Sequence, residues 1–405
     1  MREVRLDLFK LYDADEKSKG SIKVILSNKS KCLVKDLLED IKTKKQLTIY
    51  ELSEKLGMKY STLRMSFQRN RLSLNFIKRL LEFCLESKRL EVIKEIKELS
   101  SGTGNTYIKV KSPQFLTTNL CKIVGAIIAD GNLYLGKNKR KWQIKIGDQY
   151  RDNLEIFSKW LEQEFGIEYE IKKDKKLRMF YMDFSNKIIF DYLNKIFGIR
   201  IGNKSSLVTM PEVIKEATFN YQIAFGIGLS MFDGGIGFGR RNFSLNTKSE
   251  KLIHDLNKIL DKLNVKYSYS NKQNIANGLY QTYVWSEEGL RKILKYFLEP
   301  NTTKWRQLSI LLNGFEYSRP RNLELISELY PIQRKTSSSF LDVINLFRNN
   351  TLMTKKEVQL KLNRGERTTR SLLNSLERMK VLMSATQNSY KVWKLNPNLN
   401  KIERR

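Results

Sequence analysis

Hydrophobic positions along the chain fall into three blocks set apart by polar stretches. In the first, Ile49, Leu52 and Leu56, then Gly57, then Leu63 and Phe67 predict two amphipathic helices joined by a tight turn. In the central block the period changes repeatedly. Twice a short apolar helix runs into alternating residues, then a helix, more alternation and another helix. The first copy predicts strands over 142–146 and 169–184 around a helix over 153–165; the second predicts strands over 242–246 and 266–285 around a helix over 249–263. Gln143 and Lys145 alternate with Trp142, Ile144 and Ile146, and Asn242, Ser244 and Asn246 alternate with Phe243 and Leu245. Each sheet therefore carries one apolar and one polar face. In the last block, helices are predicted over 340–347, 355–362 and 366–379, followed by strands over 381–383 and 390–395.

Two stretches read as connectors, Ser100 to Ser112 and Ser318 to Ser339, the second holding Pro320 and Pro331. They divide the chain into an N-terminal domain over 1–100, two central copies over 115–200 and 201–315, and a C-terminal domain over 338–396. The N-terminal helix pair, within about 45–84, has the layout of a helix-turn-helix whose second helix presents Lys59, Ser61, Thr62, Arg64 and Gln68. The C-terminal order of three helices and two strands is winged-helix-like, with Arg364, Arg367, Thr369 and Arg370 opening the third helix.

Charge narrows the function. Lys and Arg number 74 against 43 Asp and Glu, a net charge of +31, and so large a surplus calls for an anionic partner. Nucleic acid fits, and no amphipathic anchor or lipidation signal points to a membrane surface. Cys32, Cys84 and Cys121 are scattered through apolar surroundings with no paired spacing, as in a reducing compartment. The longest apolar run, Ile123 to Ala129, is too short to span a bilayer, and the N-terminus lacks a signal peptide, so a cytoplasmic location is expected. The single histidine, His254, nearly excludes chemistry built on paired histidines.

The central copies share more than their order of elements. Ile123-Val124-Gly125-Ala126-Ile127-Ile128-Ala129-Asp130-Gly131 is echoed by Gly226-Ile227-Gly228-Leu229-Ser230-Met231-Phe232-Asp233-Gly234. Either stretch alone also describes a helix-to-turn junction with glycine as C-cap. If the two helices pack, Gly125 and Gly228 allow close approach of their backbones, and Asp130 and Asp233 come together at one end. Adjacent carboxylates repel unless a cation lies between them, and hard oxygen ligands select Mg²⁺ or, as a substitute, Mn²⁺. Paired ions of this kind assist phosphodiester hydrolysis.

These residues resemble the LAGLIDADG homing endonucleases in their single-chain, two-repeat form. The resemblance covers about half of the chain and rests on Gly125 and Gly228, Asp130 and Asp233, and Gly131 and Gly234 at matching motif positions. Asn203-Lys204-Ser205-Ser206 leading to Met210-Pro211-Glu212 looks like the segment that precedes the second motif in archaeal and intein-borne members. The departures are Ile128 and Met231 where the family name has Asp, and the bulky Phe232, expected to distort the helix interface. The chain looks free-standing, because no splice-junction Cys or Ser follows Met1 and it ends in Arg404-Arg405.

The family implies an α+β fold of two αββαββα repeats forming a pseudo-twofold saddle over double-stranded DNA, and hydrolysis of both strands by metal-activated water. By that resemblance Asp130 and Asp233, with Gly131 and Gly234 beside them, hold the metals, and Lys187 is the candidate basic group that organises water. The DNA-binding candidates are Lys137, Lys139, Arg140, Lys141, Gln143, Lys145, Lys172, Lys173, Lys175, Lys176, Arg178, Arg240, Arg241, Asn242, Ser244 and Asn246. Arg64, Gln68, Arg367 and Arg370 join them from the flanking modules. One chain carrying both repeats implies a monomer. The rival readings on the same fold are a non-cleaving transcription regulator and a maturase that binds intron RNA.

Overall fold

The computed structural model describes residues 3–11, 22–103, 106–136, 142–174, 179–203, 205–237, 241–270, 278–313, 340–349, 352–378 and 380–397. After a helical turn at Leu8–Leu11, the first module comprises β1 (Lys23–Ile25), α1 (Asn28–Lys45), α2 (Ile49–Lys55), α3 (Tyr60–Gln68), β2 (Arg71–Ser73), α4 (Leu74–Glu82) and α5 (Glu86–Lys94). A hairpin of β3 (Glu98–Thr103) and β4 (Thr106–Lys111) completes it, and its sheet runs β2-β1-β3-β4. Thr48 and Glu51 cap the start of α2 reciprocally. Gly57, at φ 77°, turns the chain into α3.

The first expected connector is this hairpin. Leu99 pairs with Val110 and both are buried, while Ser101 and Gly102 pair with Ile108 and Tyr107. Small polar residues suggested a linker, but the period-two placement of Leu99 and Val110 on facing strands prevails. The module is also fastened to the first repeat. Arg5 bridges Phe115, the Tyr192 hydroxyl donates to the Pro113 carbonyl at 3.0 Å, and Ser112 Oγ lies 3.2 Å from Tyr192 OH.

The first repeat follows as α6 (Thr118–Ala129), β5 (Gly131–Leu135), β6 (Trp142–Asp148), α7 (Arg151–Phe165), β7 (Lys172–Asp174), β8 (Met179–Ser185) and α8 (Lys187–Asp191), which continues as a π-turn over Tyr192–Ile196. The second begins after the single turn α9 (Glu212–Lys215), with α10 (Phe219–Asp233), β9 (Gly234–Gly237), β10 (Asn242–Thr247), α11 (Glu250–Lys262), β11 (Ser268–Ser270), β12 (Tyr280–Val284), α12 (Glu287–Tyr296) and α13 (Thr303–Asn313). Both sheets are antiparallel and ordered alike, β5-β6-β8-β7 and β9-β10-β12-β11. The register matches too, Gly131 facing Ile146 as Gly234 faces Leu245. Ile144, Ile146, Phe243 and Leu245 are buried, so the apolar face of each sheet is the inner one. Strands β5 and β9, implied by the αββαββα order, were not placed from the residue pattern, because each starts on the residue after the acid and β9 is mostly glycine.

The third module is α14 (Phe340–Phe347), β13 (Met353–Thr354), α15 (Lys355–Leu362), α16 (Glu366–Arg378), β14 (Leu382–Gln387) and β15 (Tyr390–Leu395), with sheet order β13-β15-β14. Asn388 and Ser389, at φ 48° and 66°, make the tight turn between its last strands. The connector expected over 318–339 lies outside the described residues. No helix among the described residues is long and apolar enough to cross a membrane.

Candidate active site

Helices α6 and α10 are apolar and buried over most of their length, which places them at the centre of the two repeats. They meet backbone to backbone. A Cβ on Gly125 would lie 2.9 Å from the Leu229 nitrogen and 3.2 Å from the Phe225 carbonyl carbon, and one on Gly228 would lie 2.8 Å from the Lys122 carbonyl carbon. The contact is reciprocal, since each glycine faces the residue one helical turn before the other glycine. Gly131 and Gly234 are needed for a different reason. Neither adopts a left-handed conformation, so neither is a left-handed glycine cap; Gly234 caps α10 in extended backbone. A Cβ on Gly131 would lie 2.6 Å from the Ile127 Cα, and one on Gly234 would lie 2.9 Å from the Phe243 ring. Only glycine fits where the chain passes from helix into strand without a loop. Phe232 does not wedge the helices apart; its ring packs edge-on against Phe157, with centroids 6.1 Å apart.

Asp130 follows the last turn of α6 and is exposed, while Asp233 ends α10 and is half-buried. The charge facing them was not anticipated. Lys304, 5% exposed near the start of α13, donates to the carbonyls of Phe232 at 3.0 Å and Ser230 at 3.4 Å. These carbonyls close α10, where helices leave oxygens without partners and favour cations. Burial pulls the Lys304 pKa below the usual lysine value, opposed by Asp148, Asp130, Asp233 and Asp152. Both motif acids thus act on one ammonium, which puts them at the same end of the helix pair.

Asp148 completes the cluster from the end of β6. Its carboxylate accepts from the Tyr150 amide at 2.8 Å and from Asn153 Nδ2 at 2.9 Å, and Asn153 Nδ2 also reaches the Met231 carbonyl at 2.8 Å. Burial pushes the Asp148 pKa up to about 6, against the opposing pull of Lys304, Asn153 and the Tyr150 amide. Asn153 Oδ1 and Ser230 Oγ are buried with no hydrogen-bond partner among the described residues. Helix α13 is pinned across the repeats, since Thr303 donates to Asp152 through Oγ1 at 2.9 Å and Gln307 donates to the Tyr150 hydroxyl at 3.0 Å. The end of the second repeat therefore delivers its lysine to an acid of the first. By register, Thr247 occupies the place of Asp148 in the second repeat, and Leu252 that of Asn153.

The expectation for Lys187 is corrected. It is buried, paired with Asp191 at 2.9 Å and set over the Trp142 ring at 4.8 Å. Trp142 pairs with Leu135, whereas Gly131, next to Asp130, pairs with Ile146, so Lys187 sits at the far end of the sheet from the acids. A sequence signal for Lys304 existed: each repeat has a lysine, Lys204 and Lys304, shortly after the helix that follows its last strand. Lys204 lies outside the described residues, as do Lys137, Lys139, Arg140, Lys141, Lys175, Lys176, Arg178 and Arg240. Of the other DNA-binding candidates, Lys145, Lys172, Lys173 and Arg241 are exposed. Gln143, Asn242, Ser244 and Asn246 line the polar faces at partial or low exposure, and Gln143 donates to Asp183. Arg64 and Gln68 are exposed on α3, and Arg367 and Arg370 on α16, where Arg370 pairs with Glu366 at 2.6 Å.

The centre is thus a two-repeat protein of mixed helices and antiparallel sheets with an acid pair at the junction of its repeats, and in its motifs and element order it resembles the LAGLIDADG proteins. No family model matches the chain. Among solved structures it is similar to I-DmoI in complex with DNA and Mn, at 18% identity and a TM-score of 0.36, covering 45% of this chain and 98% of that one. It is also similar to the N-terminal LAGLIDADG domain of DUF199/WhiA, at 12% identity and a TM-score of 0.31, covering 45% of this chain and 84% of that one. Full-length DUF199/WhiA from Thermatoga maritima matches at 16% identity and a TM-score of 0.32, over 65% of this chain and 89% of that one.

Proposed function

We propose that this chain is a site-specific DNA endonuclease of the homing type, acting as a monomer and hydrolysing both strands. The observation that carries the reading is the convergence of Asp130, Asp233 and the buried Lys304 ammonium where α6 and α10 end. The donors suit a hard divalent cation. Among the described residues no group of three or more His, Cys, Asp or Glu could hold a metal. Mg²⁺ commonly makes do with one or two carboxylates, its remaining positions going to water and substrate oxygens. Asp130 and Asp233 would hold it, beside Gly131 and Gly234, whose missing side chains keep the turn open. Such a cation supplies charge neutralisation at the phosphate and a more acidic water. Asp148, titrating near neutrality, can hold or release a proton beside Asp130, and Lys304 balances the negative charge gathered there.

Binding would use the polar sheet faces, set side by side as a pseudo-twofold saddle along the major groove, with Lys145, Lys172, Lys173 and Arg241 toward phosphates. The net charge of +31 supports nucleic acid as the partner. The α2–α3 pair, with Gly57 at its turn, would serve as a helix-turn-helix reading through Arg64 and Gln68. Helix α16 and the β14–β15 hairpin would do the same as recognition helix and wing. Those two modules favour a second reading, a non-cleaving DNA-binding regulator.

The test is cleavage of a plasmid carrying the flanks of the gene, with Mg²⁺ or Mn²⁺, by wild type, Asp130→Asn and Asp233→Asn. Discrete metal-dependent cuts lost in both variants are expected. Tight binding with no cuts in either metal, unchanged by the substitutions, would establish the regulator instead.

A further inference from the structure

Outside the repeats, the sheet of the first module carries one strongly charged face. Leu72, Val24, Leu99 and Val110 pair across its four strands and are buried, so they form the inner face. Register puts Arg71, Ile25, Glu98 and Lys111 in one row of the opposite, outer face, and Ser73, Lys23, Ser100 and Lys109 in the next. Strand β2 follows α3 almost at once, because Asn70, at φ 51°, turns the chain between Arg69 and Arg71.

Cations gather at this turn. Arg71 stands on the outer face yet is only 8% exposed, because its guanidinium lies over the Tyr107 ring, 4.1 Å from the centroid. That contact joins the two edge strands above β1 and β3, so the face is concave, and Ser100 on the strand between is 1% exposed. Lys23 is half-buried, and its pKa falls below the usual lysine value through burial, then the charge of Arg71, then that of Arg69. Lys31 brings a fourth cation to the turn, donating to Asn70 Oδ1 at 2.7 Å. Glu98, the one acid that register places on this face, is paired with Lys109 at 2.8 Å. Like charges held together in a partly buried cluster oppose folding unless an anion joins them.

We propose that Lys23, Arg69 and Arg71 form a phosphate site for a nucleic-acid backbone, set beside α3 and extended across the face by Lys109 and Lys111. This rests on the nucleic-acid-binding reading given above. The edge strands of a four-stranded sheet lie about 14 Å apart, whereas one strand of a duplex places a phosphate about every 3.4 Å along its axis. Arg71 and Lys111, on the two edges, therefore reach phosphates several nucleotides apart, which a backbone supplies and a free phosphate does not. A guanidinium fixed over a ring keeps its planar fork ready for phosphate oxygens. Contacts of this kind add affinity without sequence preference.

The test is equilibrium binding of the full chain to a duplex without divalent metal, over a series of salt concentrations, for wild type, Lys23→Gln, Arg69→Gln, Arg71→Gln and Arg71→Lys. Lys23→Gln and Arg69→Gln should each reduce the slope of log affinity against log salt by about one, and equally on unrelated duplexes. Arg69 is exposed, so its loss leaves the fold intact. Arg71→Gln should act likewise and Arg71→Lys should restore the slope, which separates charge from a packing defect. Lys258→Gln, exposed on α11 behind the second sheet, is the control and should change nothing. Unchanged slopes in Lys23→Gln and Arg69→Gln would overturn the proposal and leave nucleic-acid binding standing. Unchanged slopes together with calorimetric binding of a mononucleotide, lost in Lys23→Gln, would assign the cluster to a free phosphate instead. A wild-type chain that binds no duplex would overturn the reading on which the proposal rests.

Discussion

Alanine at position 228 tests the helix pair on which the site depends. Its Cβ would lie 2.8 Å from the Lys122 carbonyl carbon and 2.9 Å from the Lys122 Cα, whereas carbon atoms in contact rest about 3.5–4.0 Å apart. The helices must part by about 1 Å, and a gap of that order forfeits roughly a quarter to a half of the dispersion energy of each contact along the seam. Overpacking against side chains costs about 1–3 kcal/mol. Here the obstacle is main chain, which cannot rotate aside, so Gly228→Ala should cost about 3 kcal/mol or more, a large part of the roughly 5–15 kcal/mol that holds a domain. Cleavage should fall about 100-fold as well, because a 1 Å displacement of Asp233 relative to Asp130 spoils a positioned site. The assay pairs urea unfolding, followed by hydrogen exchange in α6 and α10, with plasmid cleavage. Gly365→Ala, whose Cβ meets nothing within 4 Å, serves as the control. A Gly228→Ala protein that unfolds at the wild-type urea midpoint would refute the claim that close approach of these backbones holds the pair.

Lys304→Met should keep DNA binding within about threefold while lowering cleavage by about 100-fold or more; equal losses in both would mean that the lysine serves binding alone. The Asp148 carboxyl should titrate near pH 6 in a carbon-13 experiment, and higher still in Lys304→Met, since the ammonium lowers it; a midpoint near 4 would sink this. The sign for stability follows from a folded pKa of about 6 against 3.8: the contribution of Asp148 is complete below pH 3.8 and is lost as the pH rises through 6. Asp148→Asn should slow one DNA strand at least tenfold more than the other, read with strand-specific end labels, because Thr247 and Leu252 hold the matching places in the second repeat; equal slowing of both strands would count against it.

The fold was legible where the period was sustained. Helices over 153–165 and 249–263 and the alternation around Ile144 and Leu245 place the elements within a few residues. Strand β9 was not legible, because Gly234-Gly235-Ile236-Gly237 has no side-chain pattern to read and owes its strand to pairing with β10. The β3–β4 hairpin was hidden because Ser, Gly and Thr are common to linkers and to half-buried strands. Asp130 and Asp233 could be found because they recur. Asp148 does not recur, and Lys304 recurs only as a lysine, Lys204, with no shared motif around it; what makes Asp148 and Lys304 notable is burial and mutual charge, and both arise only when α13 crosses onto the first repeat.

What repeats in this chain and what departs from the repeat divide the labour between them. The repeated residues are steric or shared: Gly125 and Gly228 bring the backbones together, Gly131 and Gly234 let strand follow helix without a loop, and the two acids act on one buried lysine. Two carboxylates at one end of a buried helix pair would push the helices apart if nothing opposed them. The opposing charge in the fold itself comes from a residue outside either motif, and it is held by the Phe232 and Ser230 carbonyls at the end of α10. Lys304 can therefore keep the pair together whether or not a metal is present, which separates folding from metal binding. Because Asp148, held by Asn153, acts on that lysine from the first repeat only, with Thr247 and Leu252 in their places in the second, a symmetric scaffold carries an asymmetric centre.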